Sequence, residues 1–128
     1  YEGAIDKYER AIAIDAENIW IWDSWGGVLT AQGKYEQAIE KYKIALEIDR
    51  KNTWIWDNWA ITLRAMGDNE GAIEKYEKAL EFEPENMRIL REWASLLRSQ
   101  GDYQGAVEKY KRILEIETFI PVAKSYVY

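Results

Sequence analysis

The chain holds 128 residues, enough for one domain of ordinary size. It contains neither Cys nor His, so disulfides, thiolate nucleophiles, imidazole general bases and the usual zinc sites are excluded, and no cofactor or metal is expected. The net charge of −6 argues against nucleic acid or an acidic membrane as a partner, because both call for a basic surface.

No apolar run approaches the ~20 residues of a membrane span. The first residues, YEGAID, lack the basic start and apolar stretch of a signal peptide, which favours a cytoplasmic location. The chain does not begin with Met and reads as a piece of a longer protein.

In chain order, the pattern is a helix followed by a repeat. Residues 1–18 read as one helix, the second half of a repeat whose first half is absent. The run Ile19 to Trp25 (IWIWDSW) then returns as Thr53 to Trp59 (TWIWDNW), 34 residues later. Residues 19–52 and 53–86 share 18 identities in 34 positions without a gap. The segment Lys34 to Tyr42 returns at the same period, ending on Tyr76 and Tyr110. Whole repeats therefore occupy 19–52, 53–86 and 87–120, and 121–128 reads as the remnant of a further helix.

Each repeat predicts two helices. Asn18, Asn52 and Asn86 stand where an N-cap accepts from free backbone N–H groups. Gly33, Gly67 and Gly101 stand where a left-handed residue ends the first helix. Asp68 and Asp102 can cap the second helix, whereas Lys34 in the same place cannot. Pro84 stops one second helix; its counterparts Ala16, Arg50 and Thr118 supply no such stop. No segment alternates as a strand would.

This unit resembles the tetratricopeptide repeat. The resemblance rests on Trp22, Trp25, Gly26, Leu29, Ala38, Tyr42 and Ala45 in the first whole repeat. In the second it rests on Trp56, Trp59, Ala60, Leu63, Ala72, Tyr76, Ala79 and Pro84. In the third it rests on Leu90, Trp93, Ala94, Leu97, Ala106, Tyr110 and Ile113, with Ile113 departing from the family's Ala. The leading half supplies Ala4, Tyr8 and Ala11. The resemblance implies an all-α, right-handed α-solenoid of antiparallel helix pairs forming a single domain. It also implies a protein-interaction scaffold that receives a peptide or helix in a concave groove lined by the first helices.

Helical geometry of ~100° per residue sorts structural from functional positions. Trp22, Trp25, Gly26 and Leu29 form one stripe, the core. A second stripe groups Trp20, Asp23, Gly27 and Thr30. In the next repeat it reads Trp54, Asp57, Ile61 and Arg64, and in the third Arg88, Arg91, Ser95 and Arg98. The resemblance turns this stripe toward the groove, so the candidate partner-binding residues are Trp20, Asp23, Trp54, Asp57, Ile61, Arg64, Arg88, Arg91 and Arg98. Two readings stand for Trp20 and Trp54: filling the seam between repeats, or anchoring a ligand. The three arginines are either a solvated face or a seat for a carboxylate or phosphate. The first helices sum to charges of −1, 0 and +2 and the second helices to −2, −1, −4 and −1, so the acidity lies on the second helices. Pairs such as Asp6–Arg10, Glu74–Lys78 and Glu108–Arg112 are spaced to offset it.

Catalysis has one candidate pair, Asp23 and Asp57, at equal places on successive first helices. Helix axes pack ~8–10 Å apart, near the ~6.5–9.5 Å of an inverting glycosidase pair. Repetition alone explains that spacing, so no catalytic residue is assigned and the chain is not expected to be an enzyme. An alternative function is structural self-assembly. Neither end shows the polar cap that solenoids need, and homo-oligomers could form through the ends.

Overall fold

The computed structural model describes the backbone of residues 2–125 and the side chains of residues 3–118. Seven helices follow one another: α1 (Glu2–Ile14), α2 (Ile19–Ala31), α3 (Tyr35–Ile48), α4 (Thr53–Met66), α5 (Asn69–Phe82), α6 (Met87–Ser99) and α7 (Tyr103–Ser125). No strand occurs among the described residues. The helices form two compact units, residues 1–82 with α1 to α5 and residues 83–128 with α6 and α7. The division falls at the linker holding Pro84.

The caps expected from the repeat are in place. Asn18 accepts from the backbone N–H of Trp20 at 3.1 Å, Asn52 from Ile55 at 3.3 Å and Asn86 from Ile89 at 3.1 Å. The glycines that close the first helices have φ of 78°, 86° and 84°, a conformation that costs other L residues a steric penalty. Asp68 and Asp102 accept from the N–H of Gly71 and Gly105, both at 2.9 Å, while Lys34 makes no side-chain cap.

In the first unit α2 pairs with α3 and α4 with α5, α1 packs on α2, and α3 and α2 both meet α4. The core runs through Leu29, Ala38, Tyr42, Ala45, Leu46 and Ile55, flanked by Ile5, Ile19, Trp22, Trp25, Trp56 and Trp59. Small residues let the helices approach. A Cβ at Gly26 would lie 2.5 Å from the Tyr42 ring. In the second unit α6 pairs with α7, and Leu90, Ala94, Leu97, Ala106, Ile113 and Ile116 are buried.

Two expectations change. The helix that starts at Tyr103 does not stop near 120 but runs to Ser125, so the described backbone shows no break before a further helix. Pro121 removes one backbone donor, yet no glycine after Gly105 offers a left-handed stop. Residues 126–128 of that remnant lie outside the described residues. The charge pairs also form differently. Lys78 pairs with Glu81 at 3.6 Å and Arg112 with Glu115 at 3.4 Å, three residues on, where Glu74 and Glu108 were expected as partners. Both spacings bring side chains together on one helix face.

Candidate functional site

The core-stripe tryptophans are held by chemistry that leaves them structural. The Trp22 indole donates to the carbonyl of Ala16 at 2.7 Å, and the Trp56 indole to that of Arg50 at 2.8 Å. Each thereby fastens the loop that precedes its helix. Trp22 stacks on Trp25 with centroids 5.7 Å apart, and Trp56 on Trp59 at 5.6 Å. Lys41 sits 4.1 Å over Trp25, Lys75 4.1 Å over Trp59 and Lys109 3.8 Å over Trp93. These cations thus return with the period of the repeat and cover the aromatic faces.

The second stripe divides in two. Its centre is open: Trp20 is 53% exposed and Trp54 49%, with Gly27, Ala31, Ile61 and Ala65 exposed beside them. Its edge lies in the seam between α2 and α4. There the Asn58 amide donates to Asp23 at 2.7 Å, and the hydroxyls of Thr30 and Thr62 meet at 2.8 Å. The Gly26 carbonyl lies 3.0 Å from the Thr30 hydroxyl and the Asn58 carbonyl 3.1 Å from that of Thr62, alternative acceptors for the single proton each hydroxyl carries, and both hydroxyls meet the Tyr42 phenol.

The sequence reading therefore needs correction at this edge. Asp23 is half-buried and already bonded, and Asp57 is only 1% exposed, so neither offers an open carboxylate to a ligand. The physical reason is angular. Positions three and ten residues after Asn18's successor-but-one Trp20 turn toward the neighbouring helix, while positions seven and eleven after it face out. Arg64 on α4 is likewise half-buried. In the second unit Arg88 is half-buried, whereas Arg91 and Arg98 are exposed, and Arg91 bonds Glu117 at 3.1 Å.

The seam perturbs its titratable groups. Burial pushes the Asp23 carboxyl above its ordinary 3.8, and the Asn58 amide offsets part of that rise. Burial also raises the Tyr42 phenol above 10.0; the Thr30 and Thr62 hydroxyls pull it back, and the Asp23 charge adds to the rise. This is a packed polar seam in which each group has a partner. Among the described residues no cluster of carboxylates could hold a metal ion. No helix among them is long and apolar enough to cross a membrane.

Sequence reasoning did not single out Asn58 and Thr62. Their counterparts are Ser24 and Glu92, and Val28 and Leu96, so the repeat itself carries no signal for them.

The repeat, its caps and its small-residue packing meet an independent match. A tetratricopeptide repeat model matches residues 58–118, and a TPR repeat model matches residues 26–63. The chain belongs to the tetratricopeptide repeat family. Its fold is also that of known structures. A crystal structure of MamA superposes with a TM-score of 0.78 at 20% identity, covering 97% of this chain and 70% of that one. A second MamA crystal structure gives 0.79 at 20% identity, covering 91% and 64%. A structure of PilF from Pseudomonas aeruginosa gives 0.72 at 24% identity, covering 86% and 50%. The chain thus spans half to seven tenths of these proteins. Among curated proteins no sequence matches it. As a tetratricopeptide repeat chain it is, in general terms, a scaffold for protein partners, in a family that is generally non-enzymatic.

Proposed function

We propose that the open face of α2 and α4 binds a peptide or helix of a partner protein, with Trp20 and Trp54 as apolar anchors and the exposed Ile61 of α4 beside them. The observation that carries this reading is the exposure of two tryptophans at equal places in successive repeats, each about half open to solvent. A large aromatic left half in water gains most when a partner covers it, and Trp is enriched among residues that dominate binding energies. Gly27 and Ala31 beside Trp20 leave room for a backbone to approach; a Cβ at Gly27 would meet no atom within 4 Å.

The reading narrows the sequence expectation. Asp23 is bonded into the seam and Asp57 is buried, so the face selects by apolar shape. Arg88, Arg91 and Arg98 belong to the second unit and are not needed for it. The reaction is association without bond making.

A displayed peptide library selected against the chain tests this. Selected peptides should be rich in aromatic and aliphatic residues. Trp20→Ala and Trp54→Ala should each weaken them by about 2 kcal/mol or more, the scale of a hot spot. Unchanged affinity in the folded double variant would sink the proposal.

A further inference from the structure

Between α3 and α4 the first unit holds an open cleft of about 430 Å³, a size typical of ligand sites. Trp56 and Trp59 of α4 and Leu46 of α3 supply its apolar surface, and Lys43, Glu47 and Arg50 its charged rim. Trp56 and Trp59 lie ~140–200° around α4 from Trp54, so the cleft is separate from the open face of α2 and α4. Both repeats that frame it are complete, α2 with α3 and α4 with α5, so it is not the free end of a stack.

The walls are fixed before any ligand arrives. The Trp56 indole donates to the carbonyl of Arg50, the two indoles stack, and Lys75 of α5 braces Trp59. The rim is unspent. Lys43, Glu47 and Arg50 are exposed, and none forms an ion pair among the described residues. The Lys43 ammonium instead lies 5.8 Å from the centroid of the Trp59 ring. Nor is the rim a product of the repeat. The places of Lys43 and Arg50 hold Glu9 and Ala16, Glu77 and Pro84, and Lys111 and Thr118 elsewhere. Two cations therefore meet at this seam alone, on second helices that are each net acidic.

We propose that this cleft seats an aromatic side chain of a partner protein's peptide segment, flanked by carboxylates. The indoles and Leu46 suit a flat apolar ring. Lys43 and Arg50 outnumber Glu47, so the rim calls for negative charge, and the Arg50 guanidinium can take a carboxylate through two donors. The cleft is open to solvent rather than enclosed, which suits a side chain presented by a chain that continues beyond it. Trp56 keeps its bond to Arg50 and its place in the fold; the incoming ring meets only the indole surface that lines the cleft. This seat does not depend on Trp20 and Trp54.

The test uses the 128-residue chain and a fluorescent peptide, Gly-Ser-Glu-Phe-Glu-Ser-Gly. One control carries Lys for both Glu, and a second carries Ala for Phe. Anisotropy should show the first peptide binding roughly fivefold or more tighter than either control. Lys43→Glu/Arg50→Glu should reverse the order of the acidic and basic peptides, and Glu47→Gln should tighten the acidic one. Trp56→Leu, which places there the residue found as Leu90 in the third repeat, should weaken both. The rim variants change exposed side chains only, so they decide the matter even where Trp56→Leu fails to fold. Trp20→Ala/Trp54→Ala should leave binding unchanged, which separates this seat from the other face. No binding of the acidic peptide, equal affinity for it and either control, or indifference to the rim variants overturns the proposal. Dimerisation of the chain alone that Lys43→Glu/Arg50→Glu abolishes would assign the cleft to a second copy and overturn it as well.

Discussion

Gly26 and Gly27 are adjacent, yet they meet different surroundings. A side chain at 26 must enter the space of the buried Tyr42 ring, while one at 27 meets open space. Gly26→Leu should therefore cost ~1–3 kcal/mol or more through overpacking, and Gly27→Leu should be neutral or mildly stabilising because helix propensity improves. Thermal denaturation of both variants checks this; equal melting temperatures would contradict it. Asp23 allows a second residue-scale prediction. Its carboxyl is raised in the folded chain, so between 3.8 and the raised value the folded state binds more protons than the unfolded one. Stability then falls as pH rises through that window, and the loss persists above it. Asp23→Asn keeps an oxygen for the Asn58 amide and removes the charge. It should flatten this part of the stability–pH curve and raise the melting temperature at neutral pH. A curve that keeps its slope in Asp23→Asn would show that another group causes it. The core role of Gly26 was legible because it recurs as Ala60 and Ala94. The burial of Asp57 was not, since a residue's place on a helix wheel does not say which flank a neighbouring helix will cover.

At the scale of elements, the seven helices were legible because their boundaries are written in local chemistry. Asn18, Asn52 and Asn86 cap starts, and positive-φ glycines mark ends, whatever the rest of the chain does. The end of α7 was misread because that stop rested on period alone, without a cap or glycine at 120. The second helices carry a further device. Asp68 and Asp102 cap by reaching the N–H three residues on, at Gly71 and Gly105, and a Cβ at Gly105 would lie 2.6 Å from the Asp102 carboxylate. Propensity alone says that Gly→Ala inside a helix stabilises by up to ~1 kcal/mol. Gly105→Ala should forfeit that gain, because it displaces a cap worth ~0.5–2 kcal/mol. Gly27→Ala, with no such neighbour, should keep it. Urea titration of the two variants is the check, and an equal gain would mean that the Asp102 cap tolerates a methyl group beside it.

For the molecule as a whole, the repeat made the family readable before any coordinates, because packing two helices closely demands small residues at fixed places and large ones beside them. What the repeat could not reveal is where the copies differ in use. Asn58 and Thr62 close the seam against α2, and their counterparts do not share their chemistry. The claim at the centre of this account is that Trp20 and Trp54 meet a partner while the other tryptophans of the first unit hold the fold. Indole N–H signals in a proton–nitrogen NMR spectrum test it most directly, recorded while a library-selected peptide is titrated into the chain. The account predicts that the Trp20 and Trp54 signals move and that those of Trp22 and Trp56, bonded to Ala16 and Arg50, stay in place. Movement of Trp22 and Trp56 with Trp20 and Trp54 unchanged would contradict it.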